Sequence, residues 1–549
     1  MTSRTKSYSG RSIVIQLFLV IGFLSLLARL FYIQIYQEEF IKKQVNSRTI
    51  LEDTLLAKRG EILDRNKRLL AIDIKGYSIV LDLQLFKPNS EQLATLSNTL
   101  GLTQESILMK AKKKNRYIEL IRHIEDRKKT EIERLDLQGI FFKRNLKRSY
   151  PQQEISSHVV GITDIDRIGI QGVEKVLEKI LKGKDGNFSG IRSPIGVIGG
   201  DLSSAIDGQD LQLTIDIRLQ SIAYHELYSA VQELNAQSGS IILVEPKSSN
   251  ILALTNFPSF NPSDRSNMND LSVLRNRASI DVFEPGSVIK PLAMAAMIDS
   301  GQINTDTVIN TSPGWVEFGG YKTSDFRDYG LLNLSEIISY SSNVGMVKLC
   351  DKQKPELLHN YFSNFGVGKL PSNILISSRE GFLPSYAGLS DRDKVSLCYG
   401  YGLSMTALQI AQAYQVFANN GVYKELNLFM NKKFSSPVRD KRILSQETSK
   451  YISKMLYETV HSTYGTGKLA RIEGIQVSGK TGTAEKIWKG NKSYTATFAG
   501  FAPSNNPKLL IVVVLYNLSG EVHSGGSAAA PVASKVLSQS LHALESGSL

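Results

Sequence analysis

The longest apolar run of the chain lies near its N-terminus. Residues 13–28 are almost wholly apolar, and after Arg29 the run continues to residue 35. This length crosses a bilayer, and the long Arg29 side chain can place its charge among the headgroups. The alternative is a cleaved signal peptide, but no small-x-small cleavage site follows the run. We therefore predict a cytoplasmic tail (residues 1–11) and a retained membrane anchor (residues 12–36), with the remainder outside the cytoplasm because the tail is basic.

The segment after the anchor mixes two kinds of hydrophobic pattern. Residues 77–82 form a strand-like run, whereas residues 90–113 interleave charged and apolar positions as a helix does. Glycine-containing turns at residues 199–200 and 207–208 precede a change of pattern near Leu211. We therefore predict one domain over residues 37–205 and a second over residues 206–549.

The second domain begins and ends with strand-like runs. A helix ending near Leu234 is followed by buried strand patterns at residues 239–244 and 251–254, and then by mostly helical sequence to about residue 460. Strand patterns return at residues 474–483, 494–501 and 509–516. The predicted fold is therefore α+β, with a central antiparallel sheet built from both ends of the domain and flanked by helices.

Size and charge narrow the class of protein. The chain has 549 residues, of which 42% are hydrophobic, so it can form two or more domains with a large core. Its net charge of +13 could suit nucleic acid, but no zinc-finger spacing, stacking-aromatic motif or concentrated basic tail accompanies it. Attraction to anionic lipid or cell-wall polymer fits the charge as well, and an evenly solvated surface fits it best.

Cysteine and histidine usage points to no metal or organic cofactor. The two cysteines, Cys350 and Cys398, have no metal-ligand neighbours, and we predict buried free thiols rather than a bridge. The seven histidines are scattered, with no His-Glu-x-x-His. A Gly-x-Ser-x-Gly elbow is also absent from the sequence, which disfavours an α/β-hydrolase.

The candidate chemistry centres on Ser287 and Lys290. Pro285-Gly286 predicts a turn, and residues 287–298 read as a buried helix with Ser287 at its N-terminal end. Lys290 then lies on the same face as Ser287, where an unprotonated amine can activate the hydroxyl. So short a motif also describes a helix cap followed by a surface lysine, and Ser3 to Lys6 fits it too.

Two further motifs distinguish the first one from a chance match. Ser341-Ser342-Asn343 and Lys480-Thr481-Gly482-Thr483 follow it, in the order that defines penicillin-binding proteins and serine β-lactamases. The chain resembles a class B penicillin-binding protein, a membrane-anchored peptidoglycan D,D-transpeptidase, over nearly its whole length. Further family motifs lie at residues 59–66, 148–151, 158–161, 169–174, 399–402 and 498–503. Lys67 stands where the family usually has glycine.

The resemblance implies a role for each motif residue. Ser287 would attack the D-Ala-D-Ala carbonyl of a stem peptide, with Lys290 as general base kept neutral by burial and by nearby Lys480. Ser341 would relay a proton to the leaving amine, and Asn343 would hold the substrate amide and the Lys290 side chain.

The third motif would bind the substrate. Lys480, Thr481 and Thr483 would hold its terminal carboxylate, and Gly482 would allow close approach of the strand. The backbone N–H groups of Ser287 and Thr483 would form the oxyanion hole. β-Lactams would acylate Ser287 because they mimic the same terminus.

Within the class, residues 281–287 and the chain length resemble the division enzyme more than its elongation paralogue. The resemblance then implies the bacterial inner membrane, a periplasmic catalytic domain, and a membrane glycosyltransferase of the SEDS family among other division partners. A β-lactamase would not need the long segment after the anchor, and a penicillin sensor would need more spans. A non-catalytic scaffold is the third alternative, and the three intact motifs disfavour it.

Overall fold

The structure is a computed structural model that describes residues 9–37, 50–113, 115–193, 196–264, 270–371, 377–434, 440–488 and 491–546. It divides into two units. The first comprises Met1–Lys58 and Gly183–Asp207, and the second comprises Arg59–Lys182 and Gly208–Leu549. Residues 1–8 of the predicted tail, including the Ser3 motif, lie outside the described residues.

The first unit contains the apolar helix and a small sheet. The helix Ser9–Phe31 continues as a wider turn over Tyr32–Tyr36, and the span Ile13–Ile35 is long and apolar enough to cross a membrane. The sheet has three antiparallel strands, Ile50–Leu55, Gly186–Ser193 and Gly196–Ser203, with the second in the middle. The predicted apolar helix is therefore present.

The N-terminal part of the second unit is built on a five-stranded sheet. Its long strand Leu69–Asp82 pairs with three others. The members are Ile62–Leu63, Leu69–Asp82, Tyr117–Ile124, Ile140–Ser149 and Leu211–Gln212. The helices are Ser90–Leu100, Gln104–Ala111, Asp126–Glu133, Ser157–Val160, Gly172–Val176 and Glu178–Leu181. The helical pattern predicted over residues 90–113 is confirmed, and it is divided into two helices because Gly101 ends the first at a φ of 68° and Thr103 caps the second.

Buried ion pairs stabilise the N-terminal part of the second unit. Arg59 and Arg148 are both buried, and both pair with the buried carboxylate of Glu174. Arg148 and Arg167 also pair with Asp73. Four of the five lie in or beside family motifs, and their burial gives those motifs a structural role.

The C-terminal part contains the predicted antiparallel sheet. Its five strands run in the spatial order Asn250–Phe257, Ser238–Glu245, Leu509–Leu518, Asn491–Ala502 and Ser478–Trp488, and every neighbouring pair is antiparallel. The last of these is named the edge strand here. The principal helices are Ile217–Glu233, Lys290–Asp299, Leu334–Ser339, Asn343–Cys350, Pro355–Asn364, Asp391–Leu397, Ala407–Ala418, Gln446–His461 and Ala530–Ser546.

The two parts of this unit are joined by direct hydrogen bonds. Leu211–Gln212 pairs in parallel with Ile62–Leu63. Asp64 accepts a hydrogen bond from the backbone N–H of Ile217 at 3.2 Å, at the start of the first helix of the C-terminal part. These bonds fix where the chain enters the C-terminal part.

The stretch between the helix Lys290–Asp299 and residue 460 is less purely helical than predicted. It holds three two-stranded ladders, which pair Val308–Asn310 with Leu331–Asn333, Trp315–Phe318 with Tyr321–Ser324, and Val422–Tyr423 with Lys441–Arg442. Apart from the buried Leu332, the side chains of these short strands are exposed or half-buried and give no long apolar run, so their pattern resembles that of loops.

The cysteine prediction is wrong. Cys350 and Cys398 form a disulfide, with their Cα atoms 6.6 Å apart. Both are fully buried, as expected, but they lie at the ends of two different helices that meet in the core. A bridge between residues 48 apart depends on this tertiary contact, which spacing alone does not reveal.

Candidate active site

Ser287 lies on a tight helical turn, Gly286–Ile289, which leads directly into the helix Lys290–Asp299. The turn is named the serine turn here. Val288 within it is buried, and its carbonyl oxygen accepts a hydrogen bond from the Tyr414 hydroxyl at 2.7 Å. Ser287 itself is half-buried. Its hydroxyl therefore lies at the N-terminal end of a fixed helical segment, as predicted.

Four of the predicted residues form one connected polar cluster. The fully buried Lys290 donates from Nζ to Asn343 Oδ1 at 2.7 Å, to the Ser341 carbonyl oxygen at 2.6 Å and to Ser341 Oγ at 3.3 Å. The equally buried Lys480 donates to the same Ser341 Oγ at 2.9 Å. Ser341 adopts a left-handed backbone conformation (φ 61°), which is uncommon for a residue other than glycine. Its hydroxyl therefore lies between two lysine amines.

Burial shifts the proton equilibria of both lysines in the same direction. It lowers the pKa of Lys290 to about 7, while the carboxylate of Asp325 opposes part of the shift. Burial, and then the charge of Lys290, hold the pKa of Lys480 well below its ordinary value. Because both amines donate to one hydroxyl, they repel each other when both are protonated. With a pKa of about 7, about half of the Lys290 amine is neutral at pH 7, and the neutral amine can accept a proton.

Asp325 supports the second motif and was not among the predicted residues. Its carboxylate accepts hydrogen bonds from the Ser342 hydroxyl at 2.6 Å and from the backbone N–H groups of Asn343 at 2.5 Å and Val344 at 3.0 Å. It therefore fixes the loop that carries Ser341. Asp325 lies in a polar stretch without periodicity, so no sequence signal short of a comparison of relatives could have found it.

The edge strand meets the serine turn backbone to backbone. A Cβ built on Gly482 would lie 2.7 Å from the Pro285 carbonyl oxygen, so no side chain fits there. Gly286 has a φ of 57°, and a Cβ on it would lie 3.1 Å from the Thr483 carbonyl oxygen. The close approach requires glycine at position 482, the positive φ favours it at position 286, and the contact places Ser287 beside the third motif.

The two threonines of the third motif are oriented by neighbouring groups. Thr481 Oγ1 donates to the Thr466 hydroxyl at 2.9 Å, and Thr483 Oγ1 accepts from the Gly525 backbone N–H at 3.0 Å. Since Thr483 Oγ1 accepts this bond, its own proton can be donated to a ligand. Thr466 was not predicted, since a lone threonine outside the motifs carries no signal.

The Tyr-Gly-Tyr-Gly motif at residues 399–402 supports the serine turn from outside the cluster. The backbone N–H of Gly286 donates to the Gly400 carbonyl oxygen at 3.2 Å. The backbone N–H of Gly402 donates to Glu284 Oε1 at 3.0 Å. This motif therefore contacts the residues just before the serine and positions them.

The fold and this site match known families. The sequence matches the penicillin binding protein transpeptidase domain over residues 239–538 and the penicillin-binding protein dimerisation domain over residues 54–213. The chain therefore belongs to the class B penicillin-binding proteins, the peptidoglycan D,D-transpeptidases in which a dimerisation domain precedes the transpeptidase domain. The predicted family, fold and acyl-transfer activity are confirmed.

Individual relatives resemble the chain over nearly its full length. It is 32% identical to the probable peptidoglycan D,D-transpeptidase PbpC of Pseudomonas aeruginosa, over 99% of this chain and 96% of the relative. It is also 32% identical to the peptidoglycan D,D-transpeptidase FtsI of Escherichia coli K12, over 92% of this chain and 87% of the relative. Among solved structures, penicillin binding protein 3 of Mycobacterium tuberculosis, complexed with aztreonam, matches with a TM-score of 0.70 and 26% identity, over 90% of this chain and 97% of that one.

Proposed function

We propose that this chain is a septal peptidoglycan D,D-transpeptidase that cross-links stem peptides through an acyl-enzyme on Ser287. The observation that carries the proposal is the cluster in which Lys290, Ser341, Asn343 and Lys480 are joined by hydrogen bonds of 2.6–3.3 Å, next to the serine turn. A serine needs a nearby base, and a buried amine with a pKa of about 7 can provide one.

Acylation proceeds by addition and elimination at the D-Ala-D-Ala carbonyl. Ser287 Oγ attacks the carbonyl carbon, and its proton passes to Lys290 Nζ. The carbon–nitrogen bond then breaks, and Ser341 Oγ donates its proton to the departing amine of D-alanine while Lys290 Nζ returns the proton taken from Ser287 to Ser341 Oγ. Asn343 holds both the Lys290 amine and the substrate amide. Lys480 donates to the relaying hydroxyl of Ser341 and keeps it in line.

The edge strand binds the substrate. The backbone N–H groups of Ser287 and Thr483 stabilise the oxyanion, and the loss of one such donor typically costs about 10²–10³-fold in rate. Thr481, Thr483 and Lys480 bind the terminal carboxylate, and Gly482 lets the strand approach. The amine of a second stem peptide then attacks the acyl-enzyme, which forms the cross-link and frees Ser287. β-Lactams present the same carbonyl and carboxylate and acylate Ser287.

We propose the cellular setting with support from the apolar helix and from the similarity to the relatives. Residues 12–36 anchor the chain in the bacterial inner membrane, with residues 1–11 in the cytoplasm and the transpeptidase domain (residues 206–549) in the periplasm. The pedestal domain (residues 37–205) and the anchor dock a membrane glycosyltransferase of the SEDS family and other division proteins. Similarity to FtsI and to the division type at residues 281–287 supports the septal assignment.

The catalytic proposal is tested by the intact mass of the full chain in detergent after exposure to benzylpenicillin. Wild type should carry one persistent penicilloyl group, and Ser287→Ala should carry none. Ser300→Ala is the matched control, because Ser300 lies at the far end of the same helix and should acylate normally. An adduct that vanishes within seconds would indicate a β-lactamase. No adduct on folded protein would leave the scaffold function.

Depletion in the source bacterium tests the septal assignment separately. Filamentous cells with blocked septa are expected, because division needs new cross-links at midcell. Round cells would instead assign the chain to elongation, with the Ser287 chemistry unchanged.

A further inference from the structure

A cavity of about 540 Å³ lies in the C-terminal part of the second unit and is named the lysine cavity here. Its walls come from the helix Gln446–His461, the end of the helix Ala407–Ala418, and the connections that follow the strands Ser238–Glu245 and Asn491–Ala502. Among the described residues that line it, none belongs to the three motifs or to the serine turn. Its volume is in the range of sites that hold organic ligands, and it is separate from the catalytic cluster.

The charged side chains that line the lysine cavity are all positive. Lys450 and Lys454 lie one turn apart on the same helix, and Lys247 comes from the turn between two strands. The described lining residues include no aspartate or glutamate. In the part of the chain that the structure describes, no carboxylate oxygen lies within 4.0 Å of these three ammonium groups. Like charges one turn apart destabilise a helix, and a bound anion would offset that repulsion.

Neutral hydrogen-bonding groups make up much of the remaining wall. A side-chain amide both donates and accepts hydrogen bonds, as a peptide bond does. Five amide side chains belong to the lining residues, namely those of Asn419, Asn420, Gln476, Asn505 and Asn506. The ring of Tyr457 also lines the cavity and is stacked on His461 with centroids 4.3 Å apart. The composition therefore suits an anionic ligand that contains peptide bonds, more than a single inorganic ion.

The wall of the lysine cavity is bonded to the beginning of the edge strand. Ser478 Oγ donates to the Ser453 carbonyl oxygen at 3.0 Å and to Ser504 Oγ at 2.9 Å. Both partners line the cavity, and Ser478 lies two residues before Lys480. A ligand in the cavity would therefore lie against segments that support the edge strand, without contacting the catalytic cluster itself.

We propose that the lysine cavity is a second, non-catalytic binding site for a stem peptide with free carboxylates. The inference rests on the proposed function, because that function makes stem peptides the ligands that this domain meets. A stem peptide carries one carboxylate on its D-glutamate and another at its C-terminus, with peptide bonds between them. Lys450, Lys454 and Lys247 bind the carboxylates, and the amide side chains pair with the peptide bonds. Such a site keeps the domain on its polymer while Ser287 reacts with another strand.

The test measures peptide binding with the catalytic site blocked. The full chain in detergent is first converted to its penicilloyl form with benzylpenicillin, so that only a second site remains open. The probe is the tetrapeptide N-acetyl-L-Ala-γ-D-Glu-L-Lys-D-Ala, and the comparison peptide has both carboxylates amidated. Dissociation constants come from ligand-observed NMR titrations. Wild type should bind the free acid at least about tenfold more tightly than the diamide, as expected for charge-assisted hydrogen bonds in a cavity.

Two double variants separate the lysine cavity from the general basic charge of the surface. Lys450→Gln with Lys454→Gln should reduce the preference for the free acid to about threefold or less, because two of the three cations are lost. Lys352→Gln with Lys535→Gln is the matched control. It removes the same charge from two exposed lysines outside the cavity and should keep the wild-type preference. Each variant should still take up one penicilloyl group, which shows that the domain is folded.

The outcomes distinguish this inference from the proposed function. Equal binding of the two peptides by the penicilloyl wild type, or no binding of either, overturns the second site while the acyl-enzyme stands. An unchanged preference in the cavity variant, or an equal loss in the control, overturns the assignment of the site to the lysine cavity. A wild-type chain that forms no penicilloyl group overturns the proposed function, and this inference with it.

Discussion

Replacing Asp325 with asparagine removes a charge from the second motif while keeping the size of the side chain. The carboxylate accepts three hydrogen bonds, from the Ser342 hydroxyl and from two backbone N–H groups at the start of the helix Asn343–Cys350. Ser342 is buried, so water does not replace what it loses. The amide of asparagine would also present N–H groups to a hydroxyl that now donates.

The magnitude follows from those three bonds. A hydrogen bond to a charged group contributes about 1.5–3 kcal/mol and a neutral one about 1, so the substitution should cost about 2–4 kcal/mol. Each 1.36 kcal/mol is tenfold in rate. Since the loop carries Ser341 and Asn343, acylation should therefore slow by about 30- to 900-fold.

The midpoint of the pH–rate profile for acylation should shift in Asp325→Asn. A general loss of structure would lower the rate without shifting this midpoint. Neutral Lys290 is the proposed base, so the wild-type rate constant should rise with pH through a midpoint near its pKa of about 7. The Asp325 carboxylate raises that pKa against the effect of burial. Without the charge the midpoint should shift to lower pH, even though the maximal rate falls.

The assay is the second-order rate constant for acylation by a chromogenic β-lactam between pH 5.5 and 9. Asp328→Asn is the matched control, because Asp328 lies in the same loop but contacts Ser312 and Gly330 instead. It should behave as wild type. A midpoint that stays in place or rises in Asp325→Asn would refute the electrostatic reasoning, and an unchanged maximal rate would refute the positional reasoning.

Three further substitutions test other contacts. Gly482→Ala should lower acylation at least about a hundredfold, because its Cβ would lie 2.7 Å from a carbonyl oxygen of the serine-turn segment, whereas Gly520→Ala has open space and should be silent. Replacing both Cys350 and Cys398 by alanine should lower the free energy of unfolding by about 4 kcal/mol, from the entropy of a loop of 48 residues, and wild type in reductant should approach the variant. Lys290→Met should abolish acylation and alter the pH dependence of stability. The native pKa of about 7 lies below the unfolded value of 10.5, so wild type should gain about 3 kcal/mol over the variant between pH 7 and 9.5, and parallel stability curves would contradict this.

The sequence predicts best what depends on a repeating pattern or on required chemistry. The strand Leu509–Leu518 is a continuous apolar run because it is buried on both faces, and its place in a sheet can be read directly. The three motifs are found because nucleophile, base and carboxylate site demand particular residue types. The role of Asp325 and the Cys350–Cys398 bridge could not be predicted in this way. Each depends on a tertiary contact between two segments, and the spacing of those segments along the sequence does not reveal the contact. The hydrophobic pattern of residues 90–113 predicts helical structure, and Gly101 and Thr103 divide it into two helices.

The burial that lowers the pKa of Lys290, and so makes it a base, also carries a free-energy cost of desolvation on folding. The carboxylate of Asp325 offsets part of this effect of burial on Lys290. A fully desolvated amine would be an unprotonated base at every physiological pH, but its hydrogen-bond acceptors on the second motif would then bind a weaker donor. The Asp325 charge raises the pKa of Lys290 toward neutrality, where half-protonation keeps a strong donor to Asn343 and Ser341 in part of the population. It simultaneously anchors the loop that carries those acceptors. One carboxylate outside the three motifs therefore links the geometry of the second motif to the basicity of the first, which is why its removal should separate the two in a pH profile.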